Sequence, residues 1–195
     1  ESGAVSFSHV QAYVESLQGV ATTVARKVSS IKNFHRYLVE EKVVIADVSA
    51  RVVPPALPAR LPQALSIAEV QSLLEAVSGD DPPALRDRAL LEFLYATGAR
   101  ISEALTLTLD DIVDETLRTA AAIRVTGKGN KQRIVPVGSY ARAALDAYLT
   151  RARPMLVARH GRATPMVFVG NRGAALSRQN AWLILRRAAE KAGVS

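Results

Sequence analysis

Cysteine is absent from this 195-residue chain, which rules out a disulfide framework and any thiolate metal site. The three histidines, His9, His35 and His160, are scattered without the spacing of metal ligands, so no metal site is suggested. No apolar run approaches the roughly 20 residues that span a bilayer, and the N-terminus lacks a secretory signal pattern. The expectation is a cytoplasmic protein without membrane insertion, and because Glu1 is not a natural start, upstream sequence is expected as well. Acidic residues are in the minority: 18 Asp and Glu stand against 25 Lys and Arg, a net charge of +7 and a pI of about 10. That balance favours a polyanionic partner, nucleic acid first. With 49% apolar residues, the chain can bury one good-sized core or two smaller ones.

Proline density divides the chain. Four prolines fall between Val53 and Pro62 and forbid both helix interior and sheet ladder there. The expected organisation is a helical domain over 1–53, a stiff linker over 54–62 and a second domain over 63–195. In the first domain, a short helix is predicted from about His9 to Leu17. A longer one is predicted from Val20, capped by Thr22 or Thr23, with Val24, Val28, Ile31, Phe34 and Leu38 as its core stripe. The opposite face carries Arg26, Ser29, Ser30, Asn33 and Arg36, with Lys27 and Lys32 beside it. Hydroxyl and guanidinium donors together suit phosphate oxygens, and a solvated helix face is the alternative.

In the second domain, Ser66 with Glu69 three residues on is a capping box, so a helix starts there. Pro82 and Pro83 open another helix, which carries Leu85, Ala89, Leu90, Phe93 and Leu94 inward until Gly98 ends it. Residues 121–126 and 133–137 flank the turn Gly127-Lys128-Gly129-Asn130-Lys131, the pattern of a β-hairpin. A helix over about Tyr140 to Arg151, a short strand at Val167-Phe168-Val169 and a last helix from Ser177 to about Ala192 complete the prediction.

Two segments carry chemistry. Arg100 follows the glycine that ends a buried helix, where a sharp turn can aim the guanidinium into a cleft, and Glu103 stands one helical turn on, close enough to orient it. An arginine so held can grip a phosphodiester with two hydrogen bonds; a surface ion pair is the other reading. Lys128 lies between two glycines, where the backbone can approach a ligand and an ammonium can protonate a departing oxygen. Lys131 and Arg133 behind it would bind the phosphate backbone. The turn is not a nucleotide-binding P-loop, since Ala122 and Gly129 occupy the positions of its first Gly and its Ser or Thr. Arg172, Arg178, Gln179 and Arg186 surround the start and outer face of the last helix, where Arg178 and Gln179 can reach base edges.

Read in order, Ala96-Thr97-Gly98-Ala99-Arg100-Ile101-Ser102-Glu103, Asp110-Asp111 and then Gly127-Lys128-Gly129-Asn130-Lys131-Gln132-Arg133 resemble the tyrosine recombinase or phage integrase family, most closely its Xer branch. The likeness runs from the basic helix to the last helix. It implies a mainly α fold with a small β-sheet: a helical, SAM-like core-binding domain and an α+β catalytic domain that together clamp duplex DNA. It implies Arg100 as the first of two arginines on the scissile phosphate, Lys128 as general acid for the 5′ oxygen and Glu103 in support. The family attacks with a tyrosine, forming a 3′ phosphotyrosine that conserves bond energy, so neither ATP nor a metal is needed. Four protomers act on two sites. The implied role is dimer resolution of chromosomes or plasmids at cell division; a related recombinase partner and a cell-division activator stay open.

One departure stands out. The family's His-x-x-Arg motif, later His or Trp and nucleophilic Tyr have no counterpart here, and Tyr13, Tyr37, Tyr95, Tyr140 and Tyr148 lie in no matching context. Packing explains Tyr37 and Tyr95 better. As written, the chain is expected to bind DNA without completing cleavage, and its catalytic domain to be incomplete at the C-terminus. The alternatives are a phage or transposon integrase and an inert recombinase-like DNA-binding module.

Overall fold

Helix caps and buried apolar stripes set the architecture in a computed structural model that describes residues 5–57, 64–112, 114 and 119–194. The chain divides into two compact units, one within residues 1–63 and one within 64–195. Among the described residues, no helix is long and apolar enough to cross a membrane. Prolines 58 and 62 of the predicted linker lie outside the described residues, and residues 52–57 before them form no regular element.

The first unit contains α1 (Phe7–Ser16) and α2 (Ala21–Glu40). Ser6 caps α1: its hydroxyl accepts from the His9 amide, and its own amide donates to the His9 ring. The helix therefore starts two residues earlier than the apolar spacing indicates. α2 begins after Val20 with no side-chain cap, and Thr22 and Thr23 lie inside its first turn, contrary to the predicted cap. Its inner face also differs. Val28 and His35 are buried and Val24, Ile31 and Leu38 half-buried, whereas Phe34 is 58% exposed. Residues 24, 28, 31, 35 and 38 alternate by four and three and stay on one face; Phe34 falls on its flank. Val10, Val28 and Val52 form the small core. Lys32, expected beside the basic face, donates to the Ala50 and Val52 carbonyls at 3.0 Å each and holds the following turn in place.

The second unit is helical around one hairpin: α3 (Ile67–Ala76), α4 (Pro82–Thr97), α5 (Ile101–Leu105), α6 (Leu109–Ile112), β1 (Ala122–Thr126), β2 (Gln132–Pro136), α7 (Ser139–Ala147), α8 (Arg153–Ala158) and α9 (Arg178–Ala192). Ser66 and Glu69 close the capping box of α3, Asp81 caps α4 through the Ala84 amide at 2.8 Å, and Ser177 caps α9 through the Asn180 amide. Gly98 ends α4 at φ +59°, the left-handed conformation that favours glycine. β1 and β2 pair antiparallel with Ile123 opposite Val135. Ile123 and Val125 point inward to join Leu90 and Phe93 of α4, Leu145 of α7, Phe168 and Ile184 in one core. The fold is thus mainly α with a two-stranded sheet, as expected.

Two elements depart from the sequence reading. The helix predicted to stop at Arg151 runs on through a π turn (Tyr148–Ala152) into α8. Pro154, which has no N–H to bond backward, falls in the first turn of α8, directly after the π turn. The strand predicted at Val167–Val169 does not form; only single bridges join Thr108 to Met166 and Val169 to Ala175. A side chain takes the place of a neighbouring strand. The buried Tyr148 hydroxyl donates to the Val167 carbonyl at 2.9 Å and accepts from the Val169 amide at 3.1 Å. Burial pushes that phenol up to about 12, so it stays a donor. Tyr37 and Tyr95, expected to pack inside, are exposed.

Tyr148→Phe leaves the Val169 amide without a partner in the core. It is expected to lower stability by about 1–3 kcal/mol with helix content unchanged, read from urea denaturation followed by circular dichroism.

Candidate functional site

The turn after α4 presents Arg100. Thr97 shapes it: its hydroxyl donates to the Phe93 carbonyl at 2.7 Å and accepts from the Ala99 amide at 3.2 Å. Gly98 then reverses the chain, and Arg100 becomes the N-cap of α5 in extended conformation. Glu103, at the third position of that helix, folds back on it. Its Oε2 accepts from the Arg100 amide at 2.8 Å and its Oε1 from Arg100 Nη1 at 2.8 Å. The carboxylate is buried, with its side chain 3% exposed, while the Arg100 side chain is 71% exposed. Only Nη1 of Arg100 is engaged among the described residues, so the rest of its guanidinium faces outward.

The hairpin turn meets this pair from the other side. Gly129 and Asn130 are both left-handed, at φ +74° and +58°, and the Gly127 amide donates to the Lys131 carbonyl at 2.8 Å to close the loop. Gly127 packs so near that a Cβ there would stand 2.8 Å from Glu103 Oε1. Lys128 opens the short 3₁₀ turn Lys128–Asn130 directly after it. Its side chain lies outside the described residues.

Arg133 was expected to reach DNA, but it turns inward. From β2 its Nη1 donates to Glu103 Oε1 at 3.0 Å and its Nη2 to Oε2 at 2.7 Å. These two bonds are the first cause that holds the Glu103 carboxyl down at about 2, followed by the Arg100 amide and side chain, all against the opposing effect of burial. Sequence reasoning paired Glu103 with Arg100 and missed Arg133, 30 residues away. The detectable signal was the glycine at 127, whose missing side chain marks a close approach.

The remaining candidates sit on open surface. Arg26, Lys27, Ser30, Asn33 and Arg36 are all exposed on α2, with the Ser30 hydroxyl bonded back to the Arg26 carbonyl. Lys131 is exposed beside the turn. Arg172 lies in the loop before α9 and lines a cavity of about 480 Å³ with Arg86, Asn180 and Arg187. Arg178 and Gln179 open α9 and are exposed. Arg186 is occupied, paired with Glu190 at 2.7 Å and placed over the Trp182 ring. Arg100, Glu103, Gly127 and Arg133 therefore form one cluster, while Arg172, Arg178 and Gln179 lie in the loop before α9 and in its first turn. Among the described residues, no three Asp, Glu or His side chains gather as a metal site.

Residues 63–195 match the phage integrase family. Over 179 residues the chain is 49% identical to tyrosine recombinase XerD of Mycobacterium tuberculosis (strain ATCC 25618 / H37Rv), covering 90% of this chain and 56% of that protein. The XerH site-specific recombinase in its post-cleavage complex with a difH substrate shares the fold at TM-score 0.72 and 18% identity, over 98% of this chain and 57% of that one. A lambda integrase tetramer bound to a Holliday junction shares it at TM-score 0.64 and 17% identity, over 98% of this chain and 54% of that one.

Because Glu103 ionises at about 2 in the folded chain rather than at its ordinary 4.5, the unfolded chain takes up the proton first on acidification. Its contribution is complete above about pH 4.5 and is lost as pH falls from there through about 2. Glu103→Gln is expected to destabilise the protein clearly at neutral pH and progressively less across that window, in urea titrations at a series of pH values. An equal loss at every pH would assign the effect to shape rather than charge.

Proposed function

The chain belongs to the phage integrase family, and from that membership we propose that it serves a site-specific recombinase that cuts and rejoins duplex DNA through a 3′ phosphotyrosine. One observation carries the reading: an exposed Arg100 guanidinium held at the start of α5 by the buried Glu103, with the Lys128 turn docked against the same carboxylate.

In that reading, Arg100 grips the scissile phosphate and offsets the charge that grows on its non-bridging oxygens in the pentavalent transition state. A tyrosine oxygen bonds to phosphorus as the bond to the 5′ oxygen breaks. The tyrosine gives up its proton to water, and the departing oxygen takes one from the Lys128 ammonium. Glu103 orients Arg100 without touching substrate. The attacking tyrosine belongs to a segment with no counterpart among these residues; the chain spans 56% of the length of the XerD protein it matches. DNA is held by the exposed face of α2 with Arg26, Lys27, Ser30, Asn33 and Arg36, and by the second unit through Lys131 beside the hairpin turn and Arg172, Arg178 and Gln179 at the start of α9. Residues 1–53 are then the core-binding domain, 54–62 the linker and 63–195 the catalytic domain.

The Xer likeness further supports dimer resolution of chromosomes or plasmids in the cytoplasm, by four protomers on two sites. The lambda integrase that shares this fold forms a tetramer bound to a Holliday junction, which supports the four-protomer reading. A related recombinase and a cell-division activator are the partners to seek.

Arg100→Ala in the full-length protein is expected to abolish strand cleavage while site binding in a gel-shift titration changes little; parallel loss of binding would overturn the phosphate-activating role. Replacing Arg26 and Lys27 with Ala is expected to weaken binding and flatten its salt dependence by about 0.9 in log-log slope per lost phosphate contact. An unchanged slope would return that helix face to solvent.

A further inference from the structure

Arg133 carries a positive charge at the mouth of a DNA-cleaving site, yet both ends of its guanidinium are committed to Glu103. A fork bound in that way is a poor ligand for a phosphate. Its bonds instead tie two chain segments together. Arg133 lies on β2 opposite Val125 of β1, just beyond the turn that begins at Gly127. Glu103 lies on α5, whose first residue is preceded by Arg100. The carboxylate is thus the only described group that bonds to both segments' arginines, and Gly127 fits against it because no Cβ stands between them.

We infer that Arg133 is a positioning residue for the cleavage reaction: by gripping both oxygens of Glu103, it holds the Lys128-bearing turn in register with Arg100 and leaves Arg100 free for the phosphate. The inference rests on the roles given above to Arg100 and Lys128. Two physical arguments carry it. Two parallel hydrogen bonds fix the relative orientation of β2 and α5, where a single bond would allow them to swivel. The second argument concerns charge. A buried carboxylate requires a counter-charge. Arg133 supplies it through two bonds while its side chain remains only 40% exposed, so the 71% exposed Arg100 needs to give just one nitrogen. Without Arg133 the carboxylate draws on Arg100 alone, in competition with the phosphate. Lysine preserves the charge but not the fork, so it cannot replace arginine here.

The test uses the full-length protein and a duplex selected by binding from a random pool, with its cleavage position mapped. Single-turnover cleavage at saturating DNA is measured for Arg133→Met, Arg133→Lys, Arg100→Ala and Lys128→Ala. Two substrates are compared, one with the natural 5′ leaving oxygen and one with sulfur in its place. Sulfur leaves as a thiolate without needing a proton. Both Arg133 variants are expected to bind with an unchanged salt slope and to cleave the oxygen substrate roughly 100-fold more slowly, the scale of a small misplacement of reacting groups. On the sulfur substrate they are expected to recover the part of that loss that comes from a misplaced Lys128 and to keep the part that comes from an Arg100 drawn onto Glu103, and so to fall between Lys128→Ala, which recovers, and Arg100→Ala, which does not. A general loss of structure would slow both substrates alike, and that result would overturn the inference. So would weakened binding with a flatter salt slope and an unimpaired rate at saturation, which would make Arg133 a DNA contact. If Arg100→Ala and Lys128→Ala themselves cleave normally, the reading of the site fails and the inference falls with it. If those two are defective and the Arg133 variants are not, the inference fails alone.

Discussion

Four N–H donors from two separate chain segments converge on the two oxygens of Glu103, and the joining of α5 to the hairpin in the larger unit depends on that convergence. An ionised carboxylate taken out of water is costly unless its lone pairs are filled and its charge is matched. Here both conditions are met by the same groups. The Arg100 amide and guanidinium bind it from one side and the Arg133 guanidinium from the other, which leaves a net positive charge of one on the trio. That charge is displayed on the outward-facing arginine. The buried ion cluster consequently does two jobs at once, fixing an orientation and presenting a positive charge to solvent.

Apolar packing alone would not do this. A two-stranded hairpin is marginal by itself, and β1 and β2 hold on to the core through Ile123, Val125 and Val135, which fix where the hairpin sits. Van der Waals contact is non-directional and leaves the tip loosely aimed. The directional bonds near the tip supply the aim, and the left-handed pair Gly129 and Asn130 brings the chain back without disturbing the register. The turn at Gly98 solves the corresponding problem for Arg100, since α4 is anchored by Leu90 and Phe93 and the reversal delivers the next residue outward.

What the sequence made legible follows from how local each cause is. Ser66 with Glu69, the pair Pro82 and Pro83, Gly98 and Ser177 act within four residues, and the helix ends they mark are where the structure has them. The hairpin was equally readable from its turn chemistry. The misreadings are of causes that act at a distance or between equals. Phe34 is more apolar than His35, but helical phase decides which of two neighbours faces in, and His35 lies on the stripe. The strand at 167–169 had the right composition, but the Tyr148 hydroxyl, some 20 residues earlier in the chain, meets the backbone groups a partner strand would have met. Arg133 read as a DNA contact because a free cation and one paired across 30 residues look the same in one dimension. In the candidate site, Arg100 with Glu103 and the glycine-flanked turn were visible, and the Arg133 bonds that join the hairpin to Glu103 were not.

The π turn at Tyr148–Ala152 bears on how this chain tolerates changes of length. The Arg153 amide reaches back five residues to the Tyr148 carbonyl, so the helix holds one residue more than a regular α-helix would over the same rise. The turn absorbs that extra residue and keeps Arg153 in phase with the helix before it, with its guanidinium donating to the carbonyls of Thr164, Met166 and Val167. Deleting one residue between 148 and 152 would restore an ordinary helix and leave that phase in place. The clasp on the loop that leads to α9 would survive, so this segment can shed a residue without redirecting the path to the last helix.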